Sequence, residues 1–143
     1  MSRYLDTAYV AKCYLNEPDA AKVRALVAGE EGLTSSAWCR AELACVFHRH
    51  VREGGLSPRQ ARQLHDLFLT DVRDGVWSLL PVSTDMLASV ERRVRRLRAT
   101  VFVRAGDAIH LVTAAVAGFK EIWTNDRHLL AAAPAFGLRG RSV

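Results

Sequence analysis

The chain has 143 residues, half of them hydrophobic and about a quarter charged, with a formal net charge of +5. That is enough for one globular domain and hardly for two, and too apolar for a disordered chain. No charge-free apolar run reaches the ~18 residues of a membrane span, and three cysteines without a CxxC pair argue against a disulfide framework or a cysteine zinc site. The start, MSRYLDTAYV, lacks the layout of a signal peptide, so a cytoplasmic protein is expected. Seventeen of the twenty basic residues are arginine. Arginine binds phosphate bidentately and stacks on bases, a pointer to nucleic acid.

In chain order, RYLD (3–6) reads as a short buried strand and TAYVAKCYL (7–15) as a helix, stopped by NEP at 16–18. Asp19 then looks like the cap of a helix through Val27. GLTSS (32–36) is a second strand, and Ser36 a cap for the long helix AWCRAELACVFHRHVREGG, ended by Gly54-Gly55. Ser57-Pro58 opens a helix to about Asp74, cap then proline. VWSLLPV (76–82) is the third strand. Ser83 or Thr84 caps the helix MLASVERRVRRLRA, and VRAGDAIHLVTAAVAG (103–118) follows, apolar on nearly every side from Ala108 onward. EIWT (121–124) is a fourth strand, RHLLAAAPAF a helix interrupted by Pro134, and LRGRSV a last strand. Strands and helices alternate without hairpin turns, which predicts parallel strands joined by crossovers. Ligands of such sheets bind beyond the carboxyl ends of the strands.

Most of the fifteen acidic residues have ordinary places: helix first turns, polar helix faces or loops. Four do not. Asp6 ends the first strand, Asp126 follows the fourth, and Asp107 heads a helix whose body is apolar. Each of these three alone could be a cap. Glu42 lies inside a helix, about two turns in, with Trp38, Cys39, Cys45 and Val46 at i−4, i−3, i+3 and i+4. It therefore shares an apolar face and needs a partner, either an internal arginine or a ligand. In a parallel sheet all four can converge on one edge. Converging carboxylates repel one another, and cations are the natural remedy. An all-oxygen donor set without His or Cys suits Mg²⁺ or Mn²⁺, and acidic metal centres in a basic protein suit phosphodiester cleavage.

With these residues in place the chain resembles the PIN-domain ribonucleases, and most closely the VapC-type toxins of toxin–antitoxin pairs. The matching stretches are YLDTAYVAKCYLNEP (4–18), SSAWCRAEL (35–43), RAGDAIHLVTA (104–114) and IWTNDRHLLAAAPAFGL (122–138), in order along nearly the whole chain. The resemblance implies one PIN domain over 1–143, an α/β chain in three α/β/α layers around a mostly parallel sheet of about five strands. It implies a Mg²⁺- or Mn²⁺-dependent endoribonuclease whose metal ligands and catalytic acids are Asp6, Glu42, Asp107 and Asp126. Thr124 matches the hydroxyl residue the family often places beside the last acid, and Arg104, Thr7 and Asn125 are expected around the acids or on substrate. Ala8 stands where many members have serine. The implied partners are RNA, a VapB-type antitoxin that blocks the cleft, and a second copy of the chain, with the apolar helix faces after Leu56 as the candidate dimer contact; no membrane is involved.

Other readings compete. ERRVRRLR (91–98) places Arg92, Arg93, Arg95 and Arg96 around an apolar stripe, either as a contact for RNA or an acidic partner or as a solvated face. His110, one turn after Asp107, reads as a packed histidine near the site rather than a general base. The phosphatase motif DxDxT fails at Ala8, and neither a GxSxG elbow nor a Gly-rich phosphate loop is present. A non-catalytic RNA-binding or regulatory PIN-like module, keeping the acids for structure, is the alternative to an enzyme.

Overall fold

A computed structural model of the chain describes residues 2–143. The strands are β1 (Ser2–Tyr4), β2 (Gly32–Ser36), β3 (Trp77–Leu80), β4 (Glu121–Trp123) and β5 (Arg139–Arg141). The helices are α1 (Thr7–Lys12), α2 (Ala20–Val27), α3 (Cys39–Arg52), α4 (Pro58–Arg73), α5 (Thr84–Val94), α6 (Ala105–Val116) and α7 (Arg127–Ala132), with a 3-10 turn at Ala133–Phe136. Every strand pairing is parallel. Regular ladders form a three-stranded sheet β1-β2-β3 and a separate pair β4-β5, joined by the single bridge Leu5–Trp123. Five strands are present as expected, in the spatial order β3-β2-β1-β4-β5, with the seam between β1 and β4 held by few backbone bonds.

Two apolar clusters flank this sheet and give the three layers. On one face Tyr9 and Val10 of α1, Val23 of α2, Leu43 and Phe47 of α3 and Phe68 of α4 pack with Leu5, Leu33 and Trp77. On the other, Leu111, Val112 and Ala114 of α6 and Leu129 and Ala132 of α7 pack with Tyr4 and Ile122. Met86 and Val90 of α5 lie against that second cluster. α6 is the central pillar, buried from Ala108 to Ala114. Burial of side chains such as Leu111 is worth about 1.5–3 kcal/mol each. Gly140 lets β5 pass under α7: a Cβ there would lie 2.8 Å from Leu130 Cδ2 and 3.0 Å from its Cα.

Several expected boundaries shift. α3 begins at Cys39, because Ser36 Oγ accepts from Trp38 N (3.1 Å) and closes a turn before the helix. Glu42 is therefore in the first turn, not two turns in. Asp19 precedes α2 with φ +65° and caps no backbone N–H. α5 stops at Val94, so of the arginine run only Arg92 and Arg93 are helical, while Arg95 and Arg96 lie in the turn beyond. α6 begins at Ala105 after Arg104, so Asp107 sits in the first turn and is not the cap. Of the cysteines, Cys39 is buried, Cys13 half-buried and Cys45 exposed. Among the described residues no helix is long and apolar enough to cross a membrane.

Candidate active site

The order of the sheet fixes where a cleft can open. From β1 the chain winds outward through β2 and β3; after α5 and α6 it returns to the other side of β1 as β4. The reversal point lies between the carboxyl ends of β1 and β4, the place where such sheets leave a crevice. Asp6 leaves β1 there, and Thr124 and Asp126 leave β4. A cleft of about 590 Å³ opens at this edge, and Asp6, Glu42, Asp107 and Asp126 all line it.

Each acid is held by groups that its own element supplies. Asp6 is buried and caps α1, Oδ1 accepting from Tyr9 N at 3.0 Å. Its Oδ2 accepts from the buried Thr124 hydroxyl at 2.5 Å, and Thr124 Oγ1 in turn accepts from Asp126 N at 2.9 Å. One threonine thus ties the acids after β1 and β4 together. Asp126 caps α7, Oδ1 accepting from the N–H groups of His128 and Leu129 at 2.8 and 3.1 Å. Burial pushes the Asp6 carboxyl up to about 6, against the opposing pull of Thr124, His110 and the Tyr9 N–H.

Glu42 is fixed through one oxygen. Oε1 accepts from Thr7 Oγ1 at 2.8 Å and lies 2.7 Å from His110 Nε2. The buried imidazole also meets Tyr4 OH through Nδ1 at 3.0 Å and Thr7 Oγ1 through Nε2 at 3.1 Å. For the neutral imidazole, one assignment satisfies every member. Tyr4 donates to Nδ1, Nε2–H is shared between Glu42 and Thr7, and Thr7 donates to Glu42. Burial keeps the Tyr4 phenol protonated, helped by Cys39 and Asp6. Burial also works against a charged Glu42, but the His110 hydrogen bond, the charge the imidazole can carry, Thr7 and Arg104 outweigh it and hold the carboxyl below its usual value. The expected arginine partner of Glu42 is a histidine. The face it shares is also less apolar than the spacing implied, since Trp38 and Cys45 are exposed.

Arg104 does link two other acids. Its Nε donates to Asp107 Oδ2 at 3.1 Å and its Nη2 to Asp126 Oδ2 at 3.3 Å, while its side chain stays 58% exposed. These four carboxylates therefore share one cleft, which Glu17 also lines, and a single arginine pairs with two of them. Among the described residues no three His, Cys, Asp or Glu side chains stand close enough to hold one ion as placed. The donor set nevertheless fits a hard divalent cation. All donors are carboxylate oxygens, Glu42 Oε2 and Asp107 Oδ1 accept no hydrogen bond among the described residues, and a guanidinium already draws on the other cleft-facing oxygens.

The remaining expected residues separate. Thr7 joins the Glu42 network. Asn125 turns away, Oδ1 accepting from Tyr9 OH (2.6 Å) and Nδ2 facing Asp19 (3.4 Å), so it clamps α1 and the α2 entry rather than the acids. Arg92, Arg93, Arg95 and Arg96 do not line the cleft. Lys12, Arg49 and Trp38 do, and none was expected there. Nor was Tyr4, which reaches His110 across 106 positions of sequence.

A family model for the PIN domain matches residues 3–134. The chain belongs to the PIN domain family. Solved structures agree on the fold of this PIN domain at low identity. VapBC2 of Rickettsia felis, bound to a DNA fragment from its promoter, superposes with a TM-score of 0.67 at 15% identity, over 99% of this chain and 98% of that one. VapC20 of Mycobacterium tuberculosis, a sarcin-ricin loop cleaving toxin, gives 0.67 at 16%, over 92% and 95%. FitAcB of Neisseria gonorrhoeae gives 0.68 at 17%, over 98% and 96%. No curated protein sequence matches the chain.

Proposed function

We propose that this PIN domain is a Mg²⁺- or Mn²⁺-dependent endoribonuclease acting as the toxin of a toxin–antitoxin pair. The observation that carries the reading is convergence: Asp6, Glu42, Asp107 and Asp126 line one cleft, and Arg104 is the one arginine that pairs with any of them among the described residues. Asp6, Glu42, Asp107 and Asp126 would hold the metal, directly or through water. When bound, divalent cations supply an acidified water and a counter-charge for the leaving oxygen.

The chain's own residues set the stage for that chemistry. Thr124 and the Tyr9 N–H fix the Asp6 carboxylate, and His110 with Thr7 fixes Glu42 through Oε1, leaving Oε2 toward the cleft. Arg104 is exposed and would leave Asp107 and Asp126 to meet a substrate phosphate. The similarity in fold to VapBC2, VapC20 and FitAcB supports an antitoxin as the partner that covers the cleft. Leu67 and Leu69 on α4 and Leu87 on α5 are 39–49% exposed, apolar side chains that a second copy would cover.

The test is cleavage of total cellular RNA by purified, antitoxin-free protein with Mg²⁺, Mn²⁺ or EDTA, beside Asp6→Asn. Asparagine still caps α1, so the fold is retained. Discrete fragments that require metal and vanish in the variant are expected. A folded protein that cleaves nothing in either metal would overturn the enzyme in favour of an RNA-binding module. Equal cleavage by the variant would overturn the assignment of the acids.

A further inference from the structure

Trp38 stands at the rim of the acid cleft and takes no part in the core. Trp77 and Trp123 are 3% and 8% exposed, Trp38 37%. A single exposed aromatic is ordinary on a protein surface. This one has a defined setting. Its backbone N–H is tied to Ser36 Oγ at 3.1 Å, in the turn that delays the start of α3. Its Nε1 lies against Gly106 at the head of α6, where an added Cβ would come within 3.2 Å of it and 3.1 Å of Glu42 Oε2. The ring therefore lies beside the oxygen of Glu42 that the Thr7–His110 network leaves free, one helical turn before that residue. Lys12 and Arg49 line the same cleft, and among the described residues neither has an ion-pair partner. A half-open indole beside carboxylates, with two uncommitted cations lining the same cleft, has the makings of a single-strand nucleic-acid subsite: a π-face for a base and charges for the backbone.

We propose that Trp38 is the platform on which a nucleobase of single-stranded RNA stacks next to the scissile phosphate, with Lys12 and Arg49 meeting the backbone further along the cleft. This rests on the endoribonuclease reading and adds the element that selects where the strand is cut. The test is binding of a fluorescein-labelled, mixed-sequence RNA octamer in Mg²⁺ to Asp6→Asn protein carrying Trp38, Trp38→Phe or Trp38→Ala. Tryptophan emission is followed alongside anisotropy. Stacking predicts quenching of the one exposed indole. Affinity should fall on the order of tenfold in Trp38→Ala and stay within about threefold in Trp38→Phe. In the Asp6-containing protein, Trp38→Ala should also redistribute the cut sites mapped by end-sequencing.

An RNA affinity within twofold of the parent and an unchanged cut pattern in Trp38→Ala would overturn the platform and leave the rim to a protein partner. Should Trp38→Ala fail to fold, the parent's emission decides: RNA binding without quenching overturns the proposal. Quenching and Trp38-dependent affinity in a chain that never cleaves RNA would uphold the platform while overturning the nuclease.

Discussion

The two ends of the parallel sheet both carry charge and neutralise it in opposite ways. At the amino ends of β1, β4 and β5 lies the larger hollow, about 760 Å³, lined by Arg3, Glu30, Glu121, Trp123 and Arg139 among others. There every acid has an arginine: Glu30 takes Arg3 at 2.6 Å, and Glu121 lies 4.0 and 3.8 Å from Arg139 and Arg141. The Arg3 and Arg141 guanidinium groups also stack on Trp123, 4.9 and 5.4 Å from its centroid. At the carboxyl ends the cleft is smaller: Glu17 faces His50 at 3.5 Å, Asp107 and Asp126 share Arg104, and Asp6 and Glu42 pair with no arginine or lysine among the described residues, although Lys12 and Arg49 also line the cleft. Volume ranks the ends one way and unmatched charge the other. For a site that handles phosphodiesters, unmatched charge is the criterion with a mechanism behind it, since it is what a cation would relieve.

The largest effect expected from breaking that contrast is on catalysis. Asp6→Asn removes one of the four charges and should lower metal-dependent cleavage on the order of 10²–10³-fold, the scale of losing one electrostatic group at a reacting centre. His110 comes next. It lines the cleft and, through its contact with Glu42, serves as a positioning residue. His110→Ala should cost about 10–100-fold in cleavage. Mn²⁺ affinity, measured by titration calorimetry, should fall in parallel, with partial recovery in His110→Gln, which restores a donor. Loss of cleavage with unchanged Mn²⁺ affinity would remove His110 from the support of Glu42.

Arginine removal compares the two ends directly. Arg104→Ala vacates the Oδ2 atoms of Asp107 and Asp126, so it should tighten Mn²⁺ binding about tenfold, one unit of competing charge interaction, while weakening RNA binding. Arg141→Ala at the other end breaks an exposed pair with Glu121. It should change stability by no more than about 1 kcal/mol and leave Mn²⁺ affinity alone. Weaker Mn²⁺ binding in Arg104→Ala would mean that the arginine assists the site rather than competing for it.

What could be read from the sequence followed the range of the interactions involved. β2 falls on GLTSS as expected, and α4 opens at Ser57-Pro58 with a capping box in which Ser57 Oγ and Gln60 Oε1 exchange backbone bonds at 3.1 and 2.9 Å. These are local patterns of hydrophobicity and cap chemistry. The convergence of Asp6 and Asp126 followed from their places after parallel strands. The misplaced features depend on tertiary partners. Asp107 looked like a cap because it heads an apolar helix, but its oxygen goes to Arg104. The depth of Glu42 in α3 was misjudged because Ser36 closes a turn instead of opening the helix. Tyr4 and His110 carry no mark of their pairing; only the packing of α6 over β1 brings them together. The arginine run was read as one helix because its apolar stripe continues to Val101, whereas the chain turns at Arg95.

A further effect is on stability alone and concerns Asp6 without metal. Burial raises its folded carboxyl to about 6 from an ordinary value of 3.8. A raised carboxyl means that the folded chain holds this proton more tightly than the unfolded one. The favourable contribution of protonated Asp6 is complete below pH 3.8 and is lost as pH rises through 6. Above that, the buried charge costs roughly 2–3 kcal/mol, at 1.36 kcal/mol per unit. In EDTA, Asp6→Asn should therefore melt higher than the parent at pH 7.5, the difference shrinking between pH 6 and pH 4 and closing below that. The gain is cut by the Thr124 hydroxyl, which donates to Oδ2 and loses an anionic acceptor. Mn²⁺ should reverse the order at pH 7.5, because it stabilises only the parent's carboxylate. A higher Tm for the variant that persists in saturating Mn²⁺ would place Asp6 outside the metal's reach and return it to the role of a helix cap.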